Sequence, residues 1–326
     1  MQDFVERYQG SLRPYIQRAL QRGSKYLPSM TTILAEEGVP PELAYLPIVE
    51  SGYSVHAASH AGAVGPWQFI RGTGVRYGLR IDGYVDERRD PEKATRAAAR
   101  YLRDLHDRFG DWHLALAGYN SGEGNIQRIQ NSKACGDYWE MSERGYLPRE
   151  TTEFVPRFLA AVEVATQSEE YGFDVPPSAP ARFDLVEVTR PISLKAVAKL
   201  CGSSEAEIRE LNPALNRGQV PPRGYAVRLP KGTGDAFQVA LASYREPAPV
   251  VQPRSRTARL HRVRRGDTVG SIARRYGVSA SALMKHNGIR SARGLKAGAT
   301  IKIPSKPTRR SGVVASRNVR RSSRYD

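Results

Sequence analysis

Apolar residues recur at helical spacing through the first half of the chain. The clearest run opens at Asp90-Pro91-Glu92, a capping residue followed by proline in the first turn. It continues through Ala94, Ala97, Ala98, Tyr101, Leu102, Leu105 and Phe109 to Gly110, which predicts an amphipathic helix with one face in a core. Pro40-Pro41-Glu42 opens another, carrying Leu43, Leu46 and Val49 on one side and Glu50 near its end. Trp112 to Tyr119 is a short apolar segment, and Phe154, Val155, Phe158, Leu159 and Val162 mark a last amphipathic helix. His60 to Gly78, with five glycines and one proline, has the composition of a loop.

Beyond residue 175 the pattern changes. Pro176-Pro177-Ser178-Ala179-Pro180 predicts a linker over 176–182, and a Pro/Arg-rich stretch over 245–260 predicts a second. Between and after them lies a repeat. A shift of 75 residues superposes Val188 on Val263, Ala198 on Ala273, Gly202 on Gly277, Ile208 on Leu283 and Asn212 on Asn287. Each copy, at 183–231 and 261–304, reads as strand, two short helices and strand. In the second copy these elements are Arg262–Arg264, Thr268–Tyr276, Ser279–His286 and Thr300–Ile303. The end, 305–326, holds seven basic residues and no apolar period, which predicts a disordered tail.

At 326 residues and 40% hydrophobic, the chain is long enough for two or three domains. No run approaches the roughly 20 apolar residues of a membrane-spanning helix. Cys135 and Cys201 lie far apart with no CxxC spacing, so buried thiols or one bridge are equally compatible with the sequence. The net charge of +17 points to an acidic polymer, nucleic acid or an anionic surface, but it is unevenly placed. Residues 1–175 carry 20 basic and 24 acidic side chains, residues 176–326 carry 30 and 9. No helix-turn-helix, finger or aromatic RNA-binding motif accompanies the charge, so no nucleic acid is expected as a partner. The start, Met1-Gln2-Asp3-Phe4-Val5-Glu6-Arg7, has no secretory pattern and no nearby cysteine for a lipid anchor. The expectation is a cytoplasmic protein or a sequence given without its leader.

Candidate chemistry is sparse. His56 and His60 stand four apart in a Gly/Ala/Ser-rich stretch that is not a firm helix, and no metal site or cofactor is expected. Nucleophile-elbow and P-loop patterns are missing from the sequence. Glu50 stands out because it follows Leu46-Pro47-Ile48-Val49 and precedes Ser51-Gly52-Tyr53, where an apolar helix meets an aromatic turn. Desolvation there would raise its pKa and make it a general acid. The same local pattern also fits a solvated glutamate at a helix end.

Four motifs then occur in order: Glu42 to Tyr53 (ELAYLPIVESGY), Gly62 to Phe69 (GAVGPWQF), Ala117 to Gly122 (AGYNSG) and Leu147 to Thr151 (LPRET). Together they resemble the lytic transglycosylase family of bacterial wall enzymes, in particular its membrane-bound murein branch. Val263 to Thr268, Ile272-Ala273, Tyr276-Gly277-Val278 and Asn287 resemble LysM, a wall-sugar binding module. The resemblance implies a mainly α, lysozyme-like catalytic domain over 1–175, with its motif core at 40–166, followed by small α+β LysM modules of βααβ order. It also implies cleavage of the β-1,4 bond between N-acetylmuramic acid and N-acetylglucosamine, with peptidoglycan strands as partner and the periplasm or cell envelope as location. Membrane attachment would then come only through a leader or anchor absent from this chain, and the oligomeric state stays open.

By the same resemblance Glu50 is the single acid and base. Ser51 is expected to bond Glu50 or substrate, or else to cap the helix end. Gln68 is expected to contact a sugar, Tyr119 and Asn120 to form the active-site floor, and Trp67 and Phe69 to form an apolar wall. Gly65-Pro66-Trp67-Gln68 departs from the Gly-Leu-Met-Gln form common in the wider superfamily, which bears on the wall residue. Asp82 or Asp86 could supply a second carboxylate, and Glu150 is left outside the catalytic set. In the second LysM-like copy Gly266, Asp267, Thr268, Asn287, Gly288 and Ile289 are the expected sugar contacts. The first copy has Pro191 and Ile192 where Gly266 and Asp267 stand, so it reads as a degenerate module that either binds sugar or acts as a spacer.

Since the excess positive charge lies wholly after residue 175, wall binding should depend on that half and weaken with salt. Deleting residues 176–326 should abolish sedimentation with purified wall sacculi at low salt; undiminished sedimentation would contradict this reading of the charge.

Overall fold

The structure, a computed structural model, describes all residues except 134, 178–181, 246–258, 290 and 305–326. Most of the two expected linkers and all of the basic tail therefore lie outside the described residues. The chain divides into two compact units, Met1–Glu246 and Pro247–Asp326.

The first unit opens with ten helices: α1 (Gln2–Gln9), α2 (Arg13–Gly23), α3 (Leu27–Glu36), α4 (Leu46–Ser51), α5 (Arg71–Arg76), α6 (Pro91–Phe109), α7 (Trp112–Ser121), α8 (Glu123–Lys133), α9 (Tyr138–Glu143) and α10 (Arg149–Thr166). The central helix α6 follows its sequence signals. Asp90 accepts the backbone N–H groups of Glu92 and Lys93 at 3.1 and 3.0 Å, and Gly110 ends the helix in the left-handed region at φ 70°. Its face from Ala94 to Phe109 is buried, and α7 packs closely on it. A Cβ at Gly118 would sit 2.9 Å from the Phe109 ring, so glycine sets that approach.

Two elements differ from the sequence reading. The expected helix from Pro40 is split into a 3-10 turn, Pro41–Tyr45, and α4. Pro47 lacks the N–H that a continuous helix would use there. Within the glycine-rich His60–Gly78 stretch, residues 71–76 form α5, whose one buried residue is Gly74. Pro156 lies inside α10, and the carbonyl it leaves unpaired, that of Thr152, receives the Tyr138 hydroxyl at 2.7 Å. Cys135 and Cys201 are free thiols. Among the described residues no helix is long and apolar enough to cross a membrane.

The first repeat copy belongs to the same unit. It contains β1 (Phe183–Val188), β2 (Ile192–Ser193), α11 (Leu194–Cys201), α12 (Glu205–Leu211), β3 (Gln219–Val220), β4 (Tyr225–Pro230) and an additional α13 (Gly234–Ser243). β1 pairs antiparallel with β4, Phe183 opposite Pro230, and β2 pairs with β3. The copy is interlocked with the helical part. Val85 is fully buried in the core of the copy, beside Val186, Val197, Leu215 and Val227. The Val85 backbone forms a bridge with Leu215, and Asp86 N–H donates to the Ala214 carbonyl at 2.9 Å. Arg228 clamps Asp90 through two bonds of 2.6 and 3.0 Å and reaches Glu92 at 2.9 Å.

The second unit repeats the scheme with β5 (Arg259–Arg262), α14 (Val269–Tyr276), α15 (Ala280–His286) and β6 (Thr300–Ile303). Its first strand pairs three residues earlier than expected, Arg259 opposite Ile303. Val263 still exchanges hydrogen bonds, but with Gly298 and Ala299, where Gly298 turns the backbone at φ 89°. The repeat is exact at one residue type. Asn212 bonds the carbonyls of Ile208 and Arg228 and accepts the Arg228 N–H, and Asn287 does the same with Leu283 and Lys302.

The buried Arg228–Asp90 clamp, with side chains 11% and 5% exposed, should carry much of the interlock. Arg228→Ala leaves Asp90 unpaired and should lower unfolding stability by about 3 kcal/mol, read in urea by tryptophan fluorescence. All three tryptophans, Trp67, Trp112 and Trp139, lie in the helical part, so they report the effect across the interlock. A loss as small as that of the exposed pair variant Arg209→Ala, under about 1 kcal/mol, would make the clamp dispensable.

Candidate active site

Glu50 sits in the last turn of α4, and two side chains of α2 hold that helix and the turn after it. The Tyr15 hydroxyl donates to the Ile48 carbonyl at 2.7 Å and Arg22 reaches the Gly52 carbonyl at 3.3 Å. The chain then leaves through two left-handed residues, Gly52 at φ 58° and Tyr53 at φ 56°. Tyr53 adopts this conformation with its ring buried against Gly23 and its hydroxyl bonded to the Ala44 carbonyl at 2.7 Å. Such backbone costs on the order of 1–3 kcal/mol and persists only where packing imposes it.

The carboxyl of Glu50 is set deep among protein atoms but keeps partial access to solvent. Burial raises its pKa to about 8; Arg157 opposes the rise and Glu150 adds to it. Among the described residues no hydrogen-bond donor reaches the carboxylate, so burial is not offset by the bonds that would stabilise the ionised form. Tyr119 faces the same electrostatic environment. Its phenol is held well above its ordinary value by burial first and by Glu50 next.

The loop Ala57–Phe69 lies beside Glu50 and accounts for most of the motif residues. Ser51 donates to the Pro66 carbonyl at 2.8 Å, Tyr119 to the Trp67 carbonyl at 2.6 Å and the Gln68 amide to the Gly65 carbonyl at 2.8 Å. Three consecutive carbonyls are thus fixed by three of the expected site residues. Gln68 itself is left-handed at φ 48°. Gly65 admits no side chain, because a Cβ there would lie 1.9 Å from the Arg88 carbonyl oxygen. Arg88 in turn donates to the carbonyls of Gly62 and Phe69, both at 3.0 Å, and pairs with Asp86.

Several expectations change on this geometry. The Ser51 hydroxyl is spent on the Pro66 carbonyl of the loop rather than on Glu50. Trp67 is 0% exposed with its indole N–H on Thr95 at 2.9 Å, and Phe69 is 2% exposed. Neither forms an open apolar wall, because both complete the core under the loop. Asn120 accepts the Thr151 hydroxyl at 2.9 Å, joining α7 to α10. Asp86 is committed to Arg88. Asp82 accepts the N–H groups of Tyr84 and Val85 and pairs with Arg80, and these bonds hold its pKa down to about 2. Neither is therefore a free second carboxylate.

Sequence reasoning passed over Arg157 as a neighbour of the acid. Two turns separate it from Glu150 on α10, a spacing that places both on one helical face, and that spacing was the available signal.

In the second unit the expected contact residues are engaged internally. Asp267 accepts the Arg264 N–H and pairs with His261, both at 2.8 Å; these bonds, the backbone one first, lower its pKa. Thr268 caps α14 in a reciprocal box with Ser271, and Asn287 joins α15 to β6. Gly266 and Gly288 turn the backbone at φ 94° and 64°, and Ile289 packs against the module core. What this loop pair leaves for a ligand is chiefly backbone. In the first copy Pro213 and Ala214 replace Gly288 and Ile289; both are buried, with the Ala214 carbonyl bonded to Asp86. Ile192, at the other expected contact loop, is also buried.

Comparison with known proteins matches three stretches of the chain. Residues 30–142 match the Transglycosylase SLT domain, residues 182–246 the LysM-like domain of lytic transglycosylase MltD and residues 261–304 the LysM domain. Membrane-bound lytic murein transglycosylase D of Escherichia coli is 34% identical over 302 residues, covering 89% of this chain. The matched region spans 66% of that relative's length. A protein of Alteromonas sp. named for tributyltin chloride resistance is 38% identical over 114 residues, 34% of this chain and 55% of its own. An inactive mutant of lytic transglycosylase Slt from Pseudomonas aeruginosa superposes with a TM-score of 0.38 at 21% identity, over 46% of this chain and 25% of that one. The helical part with its deep-set glutamate is thus a domain of the SLT transglycosylase class. With the LysM-like and LysM domains that follow, the chain is similar over 89% of its length to membrane-bound lytic murein transglycosylase D.

The raised pKa makes a stability prediction. Between about pH 4.5, where the unfolded glutamate ionises, and about pH 8, the folded state binds the proton more tightly, so folding stability falls as pH rises through this window. Glu50→Gln removes the penalty and should be more stable than the parent at pH 8 by roughly 2–4 kcal/mol, with no difference at pH 4. Equal denaturation midpoints at both pH values would contradict the burial of the charge.

Proposed function

We propose that this chain cleaves the β-1,4 bond between N-acetylmuramic acid and N-acetylglucosamine in peptidoglycan and leaves 1,6-anhydromuramic ends. The observation that carries the reading is a carboxyl kept protonated to about pH 8 by burial, at the last turn of a helix whose flanking loop is pinned in place. A neutral glutamate can donate its proton to the departing glycosidic oxygen. The carboxylate so formed then takes the proton of the muramic 6-hydroxyl as that oxygen closes on carbon 1, which regenerates the acid and consumes no water. The intramolecular hydroxyl supplies a nucleophile at high effective concentration, so the reaction needs no second carboxylate. Arg157 favours the ionised form of Glu50 and steadies the carboxylate between the two transfers. Tyr119 retains its proton and keeps the loop closed beside the acid.

The relative from Escherichia coli is named as membrane-bound and murein-directed, and this chain is assigned on that basis to the cell envelope. The LysM unit holds it on the wall. Exposed Glu150 adds to the field at Glu50; if the chain were instead a goose-lysozyme-like muramidase, water would react, with the same glutamate, Glu50, as acid and base.

Digestion of purified peptidoglycan followed by mass spectrometry should yield muropeptide ends one water lighter than reducing ends. Reducing ends would establish the hydrolase, and no product from the parent chain would leave a wall-binding scaffold. Glu50→Gln should lower kcat by at least about 10²-fold. In the parent, kcat should fall as pH rises through about 8, where the acid loses its proton; a rate that climbs through pH 8 would assign the acid role elsewhere.

A further inference from the structure

Where the first repeat copy meets the helical part, a groove of about 710 Å³ opens beside the residues that follow Glu50. Its charged lining is lopsided. Arg22, Lys25, His56, Arg89 and Arg209 face one acid, Glu210. Lys25 is paired with Glu210 at 2.7 Å and Arg209 with Glu205 at 2.6 Å. Arg22 and Arg89, in contrast, make no ion pair among the described residues: Arg22 bonds only a backbone carbonyl, and Arg89 reaches His56 Nδ1 at 3.1 Å.

Arg89 carries the argument. A guanidinium donates and never accepts, so His56 Nδ1 must be the acceptor, and the imidazole is neutral with its proton on Nε2. Burial and Arg89 both hold the pKa of His56 down, consistent with that form. The Nε of Arg89 is itself buried without a partner. Leaving a charged donor unsatisfied costs free energy, and because Arg89 lines the groove without a counter-charge, a carboxylate there would supply the missing opposite charge. The site then offers the Arg89 guanidinium, a second cation at Arg22 and an imidazole N–H, a donor set suited to carboxylate recognition.

We propose that this groove binds the carboxylate-bearing peptides attached to the muramic residues of the glycan, so that the first repeat copy serves as a substrate-peptide wall instead of a sugar module. The reach is adequate. Arg22 of the groove bonds the carbonyl of Gly52 at 3.3 Å, two residues after Glu50 and so at most about 7 Å of chain from it, and a peptide of four residues spans about 14 Å from a sugar bound near the acid. Ile192 and Ala214, which stand where the second copy has Asp267 and Ile289, are buried in this copy, while its Arg209, Glu210 and Asn216 line the groove. This assignment rests on the peptidoglycan reading above.

The test is titration calorimetry on the full chain carrying Glu50→Gln, with two ligands: a peptide-bearing glycan tetrasaccharide and the same tetrasaccharide stripped of its peptides. Arg89→Ala and, separately, Arg22→Glu should each weaken the first by about tenfold and leave the second unchanged. Arg22 is exposed but also bonds the Gly52 carbonyl after Glu50, so affinity for the stripped tetrasaccharide is the control for disturbance of that turn. Equal affinity of the parent for both ligands, or equal losses on both, would overturn the groove assignment while leaving glycan binding intact. Failure of the parent to bind either ligand would overturn the peptidoglycan reading and this one with it. Inorganic phosphate is titrated in a further arm; phosphate binding lost in Arg89→Ala, with no peptide-dependent gain, would reassign the groove to phosphate and overturn the peptide proposal.

Discussion

The buried pairing of Arg88 with Asp86 is the contact on which the two halves of the first unit both depend. Its side chains are 8% and 9% exposed, so removing either partner would strand a charge in a low-dielectric setting. The pairing leaves Arg88 Nη1 to hold the carbonyls of Gly62 and Phe69, in the middle and at the end of the loop beside Glu50. The backbone of the same segment faces the other way. Val85 completes the core of the first repeat copy, and Asp90 both caps α6 and receives Arg228. One nine-residue stretch, 82–90, therefore sets the catalytic loop, the start of the longest helix and the seat of the following module.

That arrangement gives physical meaning to the motif residues. Ser51, Gln68 and Tyr119 bind the loop's carbonyls, and Trp67 and Phe69 fill the space beneath it. Their shared result is a shaped, stiff wall beside a carboxyl that receives no compensating hydrogen bond among the described residues. The strain at Gln68 and Tyr53 and the desolvation of Glu50 both cost stability, and the packing of α6, α7 and α10 offsets them. Stability given up at a site in this way is what a general acid at neutral pH requires.

The helical architecture was legible in the sequence because its signals are local. Asp90 and Gly110 bound α6 as a cap and a left-handed stop, and the 75-residue repeat places Asn212 and Asn287 in identical bonding roles. Glu50 was legible as a carboxylate entering an apolar turn. The division of labour around it was not, because it depends on backbone carbonyls that no residue pattern displays. Trp67 and Phe69 read as surface for the same reason that any aromatic motif does, and only burial separates a wall from a core. The docking of the first copy was equally hidden, since Val85 belongs by sequence to one part and by packing to the other. Arg157 was missed because its charge acts across space from a helix a hundred residues later.

The excess positive charge now divides into two uses. Part of it lies in the second unit, and part is turned inward: Arg228 is spent on the interlock, and Arg209 lines the groove alongside Arg22 and Arg89. The account as a whole rests on the protonation state of one side chain. Carbon-13 NMR of the Glu50 carboxyl, assigned by comparison with Glu50→Gln and followed across pH, measures it directly. The account predicts a titration midpoint near 8, whereas a midpoint near the ordinary glutamate value of about 4.3 would contradict it.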